Sequence, residues 1–234
     1  MHNKLKKTTQ RKSKDPTKAP HVLSTLMQIK HITINLIDSS LSVSENFPIV
    51  LPGEQGTAYI KIPSKIEGLN RKMSYQDKYD TLVENKSYNI KLIDGALLGM
   101  LYTFTDGQIS KHTLFYFPSP HLEEFQNNQD IYVNDELYSD IFDKERVIIP
   151  IRFDYDPSSA SAVTHPHSHL TIGQYKHCRI PVSSPLSPYQ FIVFIIRNFY
   201  NIEMLKTINT MLPLKFEKTL FEEEELLTHI NIGN

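Results

Sequence analysis

The stretch from Ala96 to Phe117 restricts the fold more than any other part of the chain. Two runs of alternating apolar and polar residues, Ala96 to Phe104 and Ile109 to Phe117, flank Thr105-Asp106-Gly107. Side chains of a strand alternate between its two faces, and an Asp-Gly pair readily takes the left-handed backbone that a tight hairpin turn needs. An antiparallel hairpin is therefore predicted, closed by Pro118-Ser119-Pro120. The same period of two runs through Met27 to Ile37, where Ile29, His31, Thr33 and Asn35 alternate with Lys30, Ile32, Ile34 and Leu36, and it predicts a further strand there. Between Asn46 and Asn70, Pro48, Pro52 and Pro63 with Gly53, Gly56 and Gly68 divide the chain into short extended pieces. Val147 to Asp156 and His165 to Tyr175 read as two more strands, joined by the small-residue loop Pro157 to Val163.

Helical signals are concentrated near the C-terminus. Ser187 before Pro188 reads as an N-cap with proline at the first helical position, and the apolar run continues from Tyr189 to Ile208, ended by Pro213. An acidic helix is expected over Glu217 to Leu227, with Glu222 to Glu225 as a solvated charge run. The polar stretch His121 to Asp143 reads as an excursion between strands, with a short helix near Asp135 to Phe142. The predicted fold class is α+β: a mainly antiparallel sheet packed by a long C-terminal apolar helix.

A chain of 234 residues with 40% hydrophobic content can bury a full core. The expected organisation is a basic, disordered arm over residues 1–20, carrying Lys4, Lys6, Lys7, Arg11, Lys12, Lys14 and Lys18, followed by a single α+β domain over 21–234. One cysteine, Cys178, excludes an intramolecular disulfide framework and any multi-cysteine zinc site, as in reducing compartments. The apolar run Phe191 to Ile196 is cut by Arg197 and Asn198, far short of the roughly 20 residues that cross a bilayer. With no secretion signal at the start, the expected location is cytoplasmic, without membrane contact.

Chemistry is concentrated between Arg152 and Gly173. Alternation puts Val147, Ile149, Ile151, Phe153 and Tyr155 on one face of the first strand and Arg152, Asp154 and Asp156 on the other; His165, His167, His169 and Thr171 share one face of the second. Any register that joins the apolar faces also joins the polar ones. The tightest sets Asp154 opposite His167 and Arg152 opposite His169, and this polar face is expected to form a cleft. Three readings stay open. In the first and favoured one, the histidines, with His169 foremost, act as general base and acid in cleaving a phosphodiester of RNA or a nucleotide. Arg152 stabilises charge on the phosphate, and Asp154 or Asp156 orients an imidazole, with no cofactor and no obligatory metal. In the second, His165, His167 and His169 bind a divalent metal with Asp154 or Asp156, although Arg152 on the same face opposes a dication. In the third the cluster makes structural hydrogen bonds or an interface, and the chain is a binding or scaffold subunit with a protein partner or a second copy of itself. Lys176, His177, Cys178 and Arg179 follow the strand and are expected to extend a phosphate-binding rim, whereas nothing in the sequence activates Cys178 as a nucleophile.

Arg152-Phe153-Asp154-Tyr155-Asp156, His165-Pro166-His167-Ser168-His169-Leu170-Thr171-Ile172-Gly173, Arg179-Ile180-Pro181 and Arg197-Asn198-Phe199-Tyr200 together resemble an uncharacterised bacterial domain-of-unknown-function family. The resemblance runs from about Ile90 to Tyr200 and includes Tyr102, Phe104 and Tyr116-Phe117-Pro118-Ser119-Pro120. A more distant likeness is to small ribonuclease toxins with an Arg-aromatic-Asp strand, a histidine-rich strand and a helix, which implies a nuclease of toxin or defence type. His31-Ile32-Thr33-Ile34 and His169-Leu170-Thr171-Ile172 also share a pattern that looks like the paired motif of the two-histidine phosphoesterases.

Overall fold

The computed structural model describes residues 15–64, 73–120, 148–175, 177–200 and 214–232. In chain order these form helix α1 (Pro20–Asp38), strands β1 (Ser42–Glu45), β2 (Ile49–Pro52) and β3 (Thr57–Lys61), helix α2 (Tyr75–Glu84), strands β4 (Ile90–Leu92), β5 (Leu97–Thr105), β6 (Gln108–Phe117), β7 (Ile151–Tyr155), β8 (Ser168–Ile172) and β9 (Ile180–Pro181), and helices α3 (Pro188–Phe199) and α4 (Glu222–Glu225). The strands make one antiparallel sheet in the order β1-β4-β5-β6-β7-β8-β9, with the β2–β3 hairpin attached to β5 through β3. The architecture is α+β. At its centre, Thr105 pairs with Gln108 across a two-residue turn in which Asp106 (φ 51°) and Gly107 (φ 80°) both adopt the left-handed conformation.

One face of the sheet is closed by α1 and α3. Tyr102, Phe104, Leu114, Phe153 and Leu170 point into this inner core beside Ile29, Ile32 and Leu36 of α1 and Phe191, Ile192 and Ile195 of α3. Phe153 meets Phe191 and Phe194 edge-on at 6.2 and 5.0 Å between ring centroids. A smaller apolar patch on the outer face unites Tyr79 and Leu82 of α2 with Leu97 and Phe115. Gly99, opposite Phe115, makes this possible: a Cβ at Gly99 would lie 2.1 Å from the Phe115 ring. Beyond Phe115 the outer face of β6, β7 and β8 becomes polar.

Three expectations are corrected. Met27 to Ile37 is helix, not strand: it lies within α1, which starts at Pro20 and buries Val22, Thr25, Ile29, Ile32, Thr33 and Leu36 at helical spacing. Its β-branched residues suit a strand locally, but packing against α3 decides the outcome, and the Thr33 hydroxyl is satisfied by the Ile29 carbonyl at 2.8 Å. His31 is accordingly exposed on a helix, and the paired His-x-Thr-x strand motif does not form. Secondly, α3 begins as expected, with Ser187 and Gln190 in a reciprocal capping box, but stops at Phe199. Tyr200 is extended because its hydroxyl donates to Asp94 at 2.7 Å, tying the chain to the turn before β5. Residues 201–208 of the longer predicted helix lie outside the described residues, as do the predicted helix at 135–142 and positions 1–14 of the basic arm; Pro16–Lys18 form a 3-10 turn capped by Asp15. Thirdly, the expected helix over Glu217 to Leu227 is reduced to Glu222–Glu225, and its run is not fully solvated: Glu224 is completely buried. Among the described residues no helix is long and apolar enough to cross a membrane.

Candidate functional site

The β7–β8 pair carries the predicted polar face, in a register two residues away from the tightest one. Asp154 stands opposite His169 and Arg152 opposite Thr171. The connection takes up more chain than a minimal loop: Asp156 caps a 3-10 turn over Pro157–Ser159, and Ser161 and His165 exchange backbone hydrogen bonds around a second turn. A shift of two preserves the faces, so Ile151, Phe153 and Tyr155 remain buried while Arg152 and Asp154 stay on the outer side. Pairing begins at residue 151, leaving Ile148 and Ile149 partly exposed before it.

Asp154 is the hub of the cluster. Its carboxylate accepts the Arg152 Nε–H at 2.5 Å and the Thr113 hydroxyl of β6 at 3.0 Å, and its Oδ2 lies 3.8 Å from His169 Nε2. His169 is 3% exposed, and its Nδ1 is 3.1 Å from the Pro166 carbonyl. Since a carbonyl only accepts, Nδ1 holds the proton of the neutral ring and Nε2 keeps a lone pair. Burial lowers the His169 pKa below the ordinary histidine value; the Asp154 charge and the Pro166 hydrogen bond act upward, and His165 and Arg179 downward. The His165 ring lies 5.1 Å from that of His169. Arg179 donates to the Thr164 carbonyl at 3.3 Å.

The other expected residues are placed differently. His167 precedes β8, donates from Nδ1 to the Thr219 carbonyl at 2.9 Å and stacks on Phe221 at 4.2 Å. Asp156 pairs with Lys111 at 2.8 Å and caps its turn through Ser158. Thr171 faces Arg152 across the strands. Cys178 accepts the Ile172 amide through Sγ at 3.4 Å. With His167 drawn to the C-terminal segment, the three histidines do not converge, and among the described residues no group of three His, Cys, Asp or Glu is placed to share one ion. A cleft lined by Lys18, His21, Asp106 and Gln108 lies at the β5–β6 turn, formed by elements other than the polar face of β7 and β8.

A family profile described as an uncharacterized conserved protein family, DUF2290, matches residues 19–232. The chain belongs to that family. Its match encloses every residue of the cluster, from Thr113 to Arg179, as well as the C-terminal segment that contacts it. No curated protein and no solved structure matches the chain.

Sequence reasoning missed Thr113 and Glu224. Thr113 sits on the outward series Lys111, Thr113, Phe115 of a recognisable strand, but only the β6–β7 pairing sets it beside Asp154. Glu224 accepts the Val163 amide at 3.0 Å and the Phe221 amide at 3.2 Å, a role that nothing in a run of four glutamates distinguishes.

Proposed function

We propose that the outer face of β6, β7 and β8 is a metal-independent, histidine-centred site that cleaves phosphodiester bonds in RNA or a nucleotide. The observation that carries this reading is the tautomer of His169: Nδ1–H is fixed by the Pro166 carbonyl, so the basic Nε2 is the nitrogen that faces the guanidinium-bearing cluster. In RNA, Nε2 takes the proton of the attacking ribose hydroxyl as the new P–O bond forms. The resulting imidazolium is stabilised by Asp154, whose Oδ2 is already 3.8 Å away. His165 protonates the departing oxygen. Arg152, anchored to Asp154 through Nε, offers its remaining N–H groups to the phosphate, with the Arg179 charge near His169 and Thr171 paired opposite Arg152. The sequence likeness to ribonuclease toxins supports a toxin or defence role, and the single cysteine supports action in the cytoplasm.

The 3% exposure of His169 favours a second reading, in which the same charges bind an anionic or protein partner without chemistry. Mixed-sequence RNA incubated with wild type and His169→Ala, each with and without EDTA, separates these. Cleavage that survives EDTA and falls by about a hundredfold or more in the mutant is the expected result. Loss in EDTA would point to a metal, and RNA binding without cleavage in any sample would establish the second reading.

A further inference from the structure

The chain between β7 and β8 contains one residue in an unfavourable backbone conformation. Val163 has φ 65°, in the left-handed region, where a β-branched side chain is a genuine outlier. It sits at the tip of the turn that Ser161 and His165 close by two backbone hydrogen bonds of 2.8 and 2.9 Å. Val163 keeps 46% of its surface in solvent, so apolar burial offsets the strain only in part. Its amide, however, donates to Oε1 of Glu224 at 3.0 Å. The second oxygen, Oε2, accepts the Phe221 amide at 3.2 Å, and Glu224 has no exposed surface. The segment bearing Glu224 is itself anchored to the sheet: Thr219 donates to the Ser183 carbonyl, Ile230 to that of Pro181, and Phe221 stacks on His167. The turn tip is thus hydrogen-bonded to a fixed part of the molecule.

We infer that Glu224 is a positioning residue: by holding Val163 in the left-handed conformation it sets the Ser161–His165 turn, and so places the His165 ring and the Pro166 carbonyl against His169. This deepens the reading of the cluster as a histidine-centred site and rests on that reading for its functional meaning. Glu224 itself lies outside the reacting groups. Its hydrogen bond acts at residue 163, and the Pro166 carbonyl three residues later fixes which nitrogen of His169 is basic.

The test reads the His169 ring directly. In ¹⁵N NMR of the full chain, wild-type His169 should be a single Nδ1–H tautomer that titrates below the ordinary histidine range, as its burial dictates. Glu224→Gln keeps the side-chain volume but gives up one of the two acceptor oxygens. It should mix the tautomers and raise the His169 midpoint by about half a unit or more as the ring gains solvent. Adding Val163→Gly should restore the wild-type signal, because glycine adopts positive φ without help. An unchanged His169 titration in Glu224→Gln overturns the inference, and so does failure of Val163→Gly to restore it. Should Glu224→Gln not fold, Glu224→Asp, which withdraws the carboxylate by one methylene, is judged by the same criteria. These signals do not depend on RNA: an inert wild type whose His169 responds to Glu224 would sink the nuclease reading alone. An active wild type whose His169 ignores Glu224 would sink this inference alone.

Discussion

Strands β6 to β8 bury a histidine on each face, and the two are held in opposite ways. His112, on the inner face, is 1% exposed, and its Nε2 accepts the Leu186 amide at 3.1 Å between the rings of Tyr102 and Tyr155. Burial depresses its pKa to about 4, with the Asp154 charge only partly offsetting this. His169, on the outer face, spends Nδ1 on Pro166 and turns Nε2 toward a carboxylate. Burial lowers the pKa of both rings below the ordinary histidine value. What separates a structural imidazole from a candidate base is which nitrogen the backbone consumes: at His112 it is the one with the lone pair, at His169 the one with the proton.

The contrast between the faces can be broken by measurement. The largest effect belongs to the inner face: Phe153→Ala should lower the unfolding free energy by about 3–5 kcal/mol in chemical denaturation, as expected for an aromatic ring removed from a closed core. A loss below about 1 kcal/mol would show that this face is not close-packed. Next is the pH dependence of His112. Unfolded, it titrates near 6.5; folded, near 4, so the unfolded chain binds the extra proton between those values. Its stabilisation is complete above pH 6.5 and is lost as the pH falls through about 4, on the order of 3 kcal/mol in all. His112→Gln, which keeps an acceptor for Leu186, should flatten the stability curve across that window; an equally steep curve would contradict the assignment. Asp154→Asn, on the outer face, should cost about 1–2 kcal/mol through weakened bonds to Arg152 and Thr113, while lowering RNA cleavage far more than stability. Proportionate losses of both would make the carboxylate merely structural. The smallest effect is Lys111→Ala, below about 1 kcal/mol by thermal melting, since Lys111 is itself more than half in solvent and Asp156 retains its Ser158 contacts.

The sequence showed most clearly what is decided locally. Asp106-Gly107 identified the central hairpin because the turn itself demands left-handed residues, and Ser187-Pro188 located the start of α3 because capping is a property of neighbours. The facing of Arg152 and Asp154 was legible for a similar reason: alternation survives any even change of register, although the register itself depended on two turns that composition does not reveal. Longer-range contacts overrode local pattern elsewhere. Ile32, Ile34 and Leu36 alternate like a strand, but Ile34 faces outward from a helix whose buried face is chosen by α3. The end of α3 depends on Asp94, 106 residues before Tyr200. Glu224 looked like any solvated glutamate, and only its burial and its bonds to the Val163 and Phe221 amides distinguish it from its neighbours.

The bond between Glu224 and Val163 spans 61 residues of sequence. During synthesis the β5–β6 hairpin, whose contacts are local, can assemble while residue 224 is still inside the ribosome, whereas closing a loop of that length must wait for the chain to emerge. On a nascent chain, therefore, β7 and β8 can pair before the turn between them is set. If the site is a nuclease, the protein completes its sheet while the base is not yet oriented, and the RNA-dense surroundings of its own translation meet the histidines before they are armed.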